Sequence, residues 1–470
     1  MEREGAVERF RRAIRIRTDW PETARGEDFP VEVLEAAEAP LRAFQEFLAA
    51  AYPRFLRATE RRVLSPYAVA YRWPGTEGSG TGPETGAVLI LAHYDVVPVE
   101  ADKWSVDPFG AEIKGGFMYG RGTQDMKGSL IAIMEAAEEL SIRGFRPQRD
   151  IWFAFGGDEE RSGLMGARTM AAWFAERGQK FSWILDEGSP VTINQIRGIS
   201  TPLALFSVEE KGFLSLELAV DQKPGHSSRP PRVQAVAVLA QALLRISRQP
   251  FPVRLSPTVA ALFSHLAELR SWEQGRAPRP RALALRTALL SALAPLAAPL
   301  LAFSFRRDPQ ILALLSTTVA MTQLEGSAAD NVLPSRARAV INLRLLAPWS
   351  VDDAINYISW AVGDERVKLR VLGFASSPVP APHGRGRGPG WEEMAQAAAA
   401  VFPGAVPIPF IMTASTDSRH YQNLAGGIFR FSPMKLSPAD MSSVHGHDER
   451  ISLENFFLAI KFYTTLFGLL

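Results

Sequence analysis

The chain has 470 residues, 47% of them hydrophobic and 22% charged, and Lys+Arg 52 against Asp+Glu 50 leaves a formal net charge of +2. Such a composition belongs to a folded chain of about two or three domains, and so small a charge surplus offers no case for nucleic-acid binding. Cysteine is absent, which removes disulfide scaffolds, thiolate metal sites and cysteine nucleophiles together, so a metal centre would have to use Asp, Glu and the seven histidines. The N-terminal residues mix both charge signs without an apolar run, unlike a secretory leader, and predict a cytoplasmic protein.

The first half alternates short apolar runs with helical patterns, the signature of an α/β domain with a mostly parallel sheet and helices on both faces. Residues 88–91, after the Gly-rich stretch 78–86, predict a buried strand. Residues 127–143 predict a helix, because Leu130, Ile131, Met134, Ala137 and Leu140 recur at helical spacing. Two more strands are predicted at 151–155 and 183–185, separated by a helical stretch at 166–178. Each strand runs into a polar cluster: His93 and Asp95, then Asp158, Glu159 and Glu160, then Asp186 and Glu187. In open α/β sheets, sites form at the carboxyl ends of strands.

From about 207 the pattern becomes strand (213–221), helix (233–247), two strands (316–323 and 337–345), helix (351–362) and strand (367–373), the β-α-β-β-α-β order of a ferredoxin-like unit. An insertion at about 248–312 follows its first helix. After a Pro-, Gly- and Arg-rich linker at 378–389, a helix beginning at Trp391 returns the chain to α/β style. The expected division is a larger domain made of 1–206 and 376–470, with a smaller one, 207–375, inserted between. Inside the insertion, residues 288–305 carry no charge and are flanked by Arg286, Arg306 and Arg307. A membrane span needs about 20 residues, and Pro295 and Pro299 would break a straight helix. A packed or capping helix pair is therefore the first expectation, a surface meeting apolar substrate or a membrane interface the second, and a span the last. Residues 455–470 are apolar too, but Lys461 and helical spacing predict a docked final helix.

The chemistry-bearing residues begin with His93-Tyr94-Asp95. A His at the mouth of a strand can bind zinc through one ring nitrogen while a carboxylate two residues on orients the ring; alone, the same residues could be satisfied by local hydrogen bonds. The run Gly-Arg-Gly-Thr-Gln-Asp-Met-Lys-Gly at 120–128 lacks the glycine spacing of phosphate or dinucleotide loops, and its Asp125, just before a helix, is in isolation an N-cap. Asp158-Glu159-Glu160 is either a solvated acidic turn or a set of carboxylates that divide labour, one binding metal and its neighbour moving protons. Asp186 and Glu187 form another strand-end acid pair, and 442–449 brings His445 and His447.

In this order the motifs resemble the dizinc amidohydrolase and carboxypeptidase family that includes aminoacylase, carboxypeptidase G, carnosinase and succinyl-diaminopimelate desuccinylase. Within it they look most like the branch of Gly-Xaa carboxypeptidase (carboxypeptidase S) and N-fatty-acyl-amino acid synthase/hydrolase. The resemblance covers nearly the whole chain, the ferredoxin-like unit corresponding to that family's lid or dimerisation domain. It implies that His93, Asp125, Glu160, one acid of Asp186/Glu187 and His445 hold two Zn2+ ions, with Co2+ or Mn2+ as substitutes and Asp125 bridging. Asp95 would orient His93, and Glu159 would be the general base for a metal-bridging water. The family's C-terminal ligand is a His set a short way before, and not next to, an Asn or Asp followed by Glu, and the resemblance takes it as His445 over His447. The resemblance further places substrate contacts at His226, an oxyanion-stabilising His often lent to the partner subunit's site, at Asn331, and at Arg419, which can clamp a carboxylate with a two-pronged hydrogen bond. Arg344 could do the same from the lid or be a salt-bridged strand residue. His265 and His383 have no assigned part.

The expectation is a zinc-dependent hydrolase that cleaves the amide of an N-acyl amino acid or Gly-Xaa peptide and releases the C-terminal amino acid. Its substrate would be a small molecule or short peptide with a free carboxylate, with room for a long acyl chain. A homodimer through the lid and membrane contact through 288–305 are consistent with the same reading. The alternatives are a deacylase or dipeptidase of small polar metabolites and a metal-free binding protein of the same fold.

Overall fold

The computed structural model describes residues 3–20, 31–77, 86–194, 199–274, 288–289, 292–381 and 387–470. His383 and Arg286 lie outside them. In chain order the main strands are β1 (Glu60–Ser65), β2 (Ala68–Trp73), β3 (Ala87–His93), β4 (Ile151–Gly156), β5 (Phe181–Thr192), β6 (Leu203–Glu210), β7 (Gly212–Asp221), β8 (Thr318–Glu325), β9 (Arg336–Leu345), β10 (Lys368–Val371), β11 (Val406–Met412) and β12 (Ala425–Leu436).

Eight of these form one sheet, ordered β1-β2-β4-β3-β5-β12-β6-β11. Its centre, β4-β3-β5-β12, is parallel; β2 runs antiparallel to β4, and β6 opposes β12 while pairing parallel with β11. Every residue of β3 and β4 is buried, as continuous apolar runs covered on both faces must be. On one face Val69, Tyr71, Val88, Ile90, Phe153 and Phe155 meet helices α1 (Arg3–Arg15) and α2 (Lys127–Ile142), joined by the helices Trp391–Val401 and Leu453–Phe467. On the other, Leu89, Trp152 and Ala154 meet Met170 and Phe174 of α3 (Ala167–Glu176). Helix α2 is apolar almost all round and buried along most of its length, so its acids need partners. Glu135 receives Arg9 at 2.5 Å and Tyr52 at 2.9 Å, and Glu138 accepts the amides of Arg54 and Phe55.

At Lys211 the chain leaves the large sheet and enters a four-stranded antiparallel one, ordered β8-β9-β7-β10. Helices α4 (Ala235–Arg248) and α5 (Val351–Val362) cover one face of it through Leu216, Leu218, Leu239, Ile341 and Ile358. A Ser350/Asp353 capping box starts α5 and Gly363, at φ 54°, ends it. The insertion does not extend this sheet. Its helices Pro257–Glu273, Ala294–Ser304 and Pro309–Leu315 dock on the edge of the large sheet, where Val259, Leu262 and Leu315 pack with Leu205, Ile408 and Ile411. The final apolar segment is the docked helix Leu453–Phe467.

Candidate metal centre

Five chain segments converge beyond the carboxyl ends of β3, β4 and β5. His93 closes β3, and β4 leads through Gly156-Gly157 to the acids. At Gly157 a Cβ would lie 2.8 Å from the Tyr94 ring, so only glycine lets the loop pass. The turn Glu159–Arg161 presents two carboxylates, β5 carries Glu187, the loop before α2 delivers Asp125, and a turn near the C-terminus brings His445.

His93 is 1% exposed. Its Nδ1 contacts the Asp95 carbonyl at 3.0 Å and Asp95 Oδ1 at 3.3 Å, leaving Nε2 to face Asp125 Oδ1 at 3.0 Å and Glu187 Oε1 at 3.5 Å. His445 Nε2 lies 2.8 Å from Asp125 Oδ2 and 3.3 Å from Glu160 Oε1. The Asp125 carboxylate therefore stands between the two imidazoles, one oxygen toward each. Ligand atoms of His93, Asp125 and Glu160 lie within 4.8 Å of one another, as do those of His93, Glu159 and Glu187.

Four carboxylates facing two imidazoles concentrate negative charge in a site of low polarity. Burial and the Glu187 carboxylate push Glu159 well above the usual carboxylate range; burial and Asp125 raise Glu160, and raise Glu187 to about 8. Burial opposes charge on His93, but Glu187, Asp125 and Asp95 outweigh it and lift the ring well above its ordinary value. Hydrogen bonds with Asp125 and Glu160 raise His445 to about 10. Each of these features is relieved by divalent cations among the carboxylates, and a mixed imidazole and carboxylate donor set suits zinc, cobalt or manganese.

The surrounding residues fix this geometry from the backbone. Asp95, fully buried, accepts the amides of Glu159 (3.1 Å) and Glu160 (3.0 Å) and the Trp20 indole (3.2 Å), so one carboxylate both holds the His93 ring and pins the acidic turn. Asp158, raised to about 7 by burial and Asp95, closes the same turn by accepting the amides of Met165 and Gly166. A pair not singled out from the sequence, Arg121 and Glu449, ties the Asp125 loop to the His445 turn. Arg121 donates to Glu449 at 2.5 Å and to the carbonyls of His445 and Gly446, while Glu449 accepts the amides of Gln124 and Asp125. The signal was present, since Glu449 ends the motif that selects His445 and Arg121 opens the glycine-rich run.

The other expected residues fall elsewhere. Asp186 does not face the cluster; its carboxylate accepts the amides of Ser418 and Glu187, which leaves Glu187 as the acid directed at His93. His447 is 3.8 Å from Glu100 at the surface. His226 is exposed on a two-residue strand paired with Val332–Leu333, its Nδ1 accepting the Ser228 amide, and the Asn331 carbonyl accepts the Ser227 amide nearby. Among the described residues these two meet each other's segments and none of the cluster. Arg419 is buried with its guanidinium 4.9 Å over the Phe374 ring and its Nε without a partner, and Arg344 lies 4.8 Å over Phe213. Burial and the Arg419 charge lower the Arg344 pKa, as expected of two cations near one another. Phe213, Arg344 and Phe374 line a cleft of about 900 Å³, with Glu160 and Arg161 at one end and the uncovered face of the small sheet along its side. His265 bonds to the Ala261 carbonyl, and His420 to that of Ser162.

A fold with a parallel sheet centre, a small antiparallel unit and a cluster of two histidines and four carboxylates at the strand ends is that of a metal-dependent amide hydrolase. The model of peptidase family M20/M25/M40 matches residues 89–468, and the chain belongs to that family. It is 34% identical over 423 residues to probable carboxypeptidase S-like 2 of Dictyostelium discoideum, covering 89% of this chain and 78% of that protein. Against the Mus musculus N-fatty-acyl-amino acid synthase/hydrolase PM20D1 the identity is 32% over 436 residues, covering 91% and 82%. In fold it is similar to the M20 family metallo-carboxypeptidase Sso-CP2 from Sulfolobus solfataricus, with a TM-score of 0.66 at 15% identity and 99% of each chain covered. The protein is thus a peptidase or amidohydrolase of the M20 class. No helix among the described residues is long and apolar enough to cross a membrane.

Proposed function

We propose that the protein hydrolyses the amide bond of N-acyl amino acids or Gly-Xaa peptides and releases the C-terminal amino acid. The observation that carries the reading is the divided Asp125 carboxylate, one oxygen 3.0 Å from His93 and the other 2.8 Å from His445. In this reading His93, Asp125, Glu160, Glu187 and His445 would hold two zinc ions. When bound, the pair acidifies water and polarises an amide carbonyl. Glu159, its carboxylate ionised beside the bound cations, takes the proton of the attacking water and passes it to the leaving nitrogen. Asp95 holds His93 and the Glu159–Glu160 turn in register for that transfer.

Arg419 and Arg344 receive the substrate carboxylate at the cleft, their guanidiniums set on aromatic rings that keep the amino-acid side apolar. His226, exposed and remote from the cluster of its own chain, serves the site of a second copy as oxyanion donor, with Asn331 beside it contacting substrate. The polar wall of the cleft, Arg161, Arg338 and Arg370, favours one other reading, a dipeptidase or deacylase of small polar metabolites.

The test is amino-acid release from acetyl-Phe, Gly-Phe and oleoyl-Phe by zinc-loaded protein, repeated with the methyl esters. Release from at least one free acid, with about tenfold or more lost in kcat/KM when Arg419→Ala meets the acid and little change on the ester, supports the reading. No release from any of the three with two zinc ions bound moves the assignment to small polar metabolites. Equal losses on acid and ester remove Arg419 from carboxylate recognition.

A further inference from the structure

The insertion's helix Ala294–Ser304 is packed the wrong way round for a core element. Its small residues go in: Ala298 is buried, and Ala294, Ala297 and Ala302 lean on the Leu205, Val259 and Ile408 core. Of its large residues Leu301 packs inward with them, and the others go out. Leu289, Leu293, Leu296, Leu300 and Phe303 are between 46% and 69% exposed. Their spacing of four, three, four and three residues puts them on one stripe of a helical path. Leaving large apolar side chains in water forgoes the gain of burying them, and scattered exposure is ordinary where a continuous stripe is not.

The charges around the stripe are of one sign. Between 270 and 308 the sequence has seven arginines, no lysine, and two acids, Glu273 and Asp308. Both acids are used locally: Glu273 accepts from the amides and hydroxyls of Ser200 and Thr201, and Asp308 caps the following helix. Arg306 and Arg307, both exposed, stand just past the stripe, the former with its guanidinium 4.4 Å over the Phe303 ring.

We infer that this stripe is an interfacial anchor for an anionic phospholipid surface. The helix is too short to span a bilayer and Pro299 lies inside it, but an apolar stripe bordered by arginine is what lies in the headgroup plane. A second copy of the chain is the weaker occupant, because it would bring another Arg306 and Arg307 pair to the contact rather than the negative charge that would complement this one. The inference stands on the insertion alone and is independent of how the metal centre is read.

The test is sedimentation of the full chain with vesicles of phosphatidylcholine alone and with phosphatidylserine added. Partitioning about tenfold or more stronger onto the anionic vesicles, weakened by added salt, is expected. The triple variant Leu296→Gln, Leu300→Gln, Phe303→Gln should lose it, with hydrolysis of a water-soluble substrate unchanged. Because those side chains are exposed, the fold should tolerate the change, and Arg306→Glu with Arg307→Glu gives a second, charge-only route to the same loss. No preference for anionic vesicles, or equal partitioning of both variants, overturns the inference. So does a dimer that the triple variant dissolves while vesicle binding persists.

Discussion

His93 and His226 both stand at the end of a strand, under opposite constraints. His93 has both ring nitrogens engaged, by Asp95 on one side and by Asp125 and Glu187 on the other, and Asp95 also accepts the backbone amides of Glu159 and Glu160. His226 is exposed on a two-residue strand, with the Ser228 amide on its Nδ1. The closed region carries its geometry within one chain. The open one presents chemistry to something that arrives, whether substrate, a moving lid or a second chain.

The sharpest break of this contrast is at Glu159. Glu159→Gln keeps the backbone bonds of the turn and removes the proton acceptor, so kcat should fall by about 10²- to 10⁴-fold with the thermal midpoint and metal content unchanged; a loss of metal together with activity would make Glu159 a ligand instead. On the open side, His226→Ala should lower kcat by about 10²- to 10³-fold with stability within about 0.5 kcal/mol of the parent, since an exposed ring supports little. Mixing that variant with Glu159→Gln should restore activity through hybrid dimers. No recovery despite demonstrated hybrids would place both residues in one chain's site.

Asp95→Asn probes how the closed region is held. Loss of the carboxylate shared by His93 and the two glutamate amides should weaken metal binding by about 10- to 100-fold in a competition titration, and unchanged affinity would show the clamp to be redundant. The smallest effect concerns the join between the two sheets. Lys211 donates to the carbonyls of Ala313 and Ser316, and burial lowers it to about 7 from the ordinary 10.5. Between those values the unfolded chain binds a proton that the folded chain lacks, so stability rises with pH, by up to about 1.4 kcal/mol per unit from this group. Lys211→Met should flatten denaturant-derived stability between pH 7.5 and 10; an unchanged slope would assign the rise to the other buried lysine, Lys127, which burial also lowers to about 7.

The strands that carry the site were legible because they are apolar runs ending in acids, and β3, β4 and β5 lie where 88–91, 151–155 and 183–185 put them. The order of the small sheet's elements was legible for the same reason, with α5 at Val351–Val362. Strands β1 and β2 escaped. Glu60-Arg61-Arg62 is a polar edge with no apolar run, and its place is set by pairing with β2 rather than by its own pattern. Strand β6 escaped for a different reason: only Lys211 separates its end at Glu210 from the start of β7 at Gly212, so two strands of different sheets run almost without a break in the sequence. Within the site, types and spacing pointed to the cluster, but the choice between Asp186 and Glu187 depends on which way each carboxylate turns. Neighbours on a strand point to opposite sides, and the Ser418 amide that captures Asp186 is 232 positions away.

The Arg121–Glu449 pair has a consequence for synthesis. It fastens the loop of Asp125 to a turn more than three hundred positions later, and the helix Leu453–Phe467 that follows this turn packs on α2. A chain still emerging from the ribosome thus has β3, β4, β5 and their acids long before it has His445 or the arginine's partner. With His445 a metal ligand as proposed, cleavage capacity arrives only with the last turn, and unfinished chains are expected to leave the peptides around them intact.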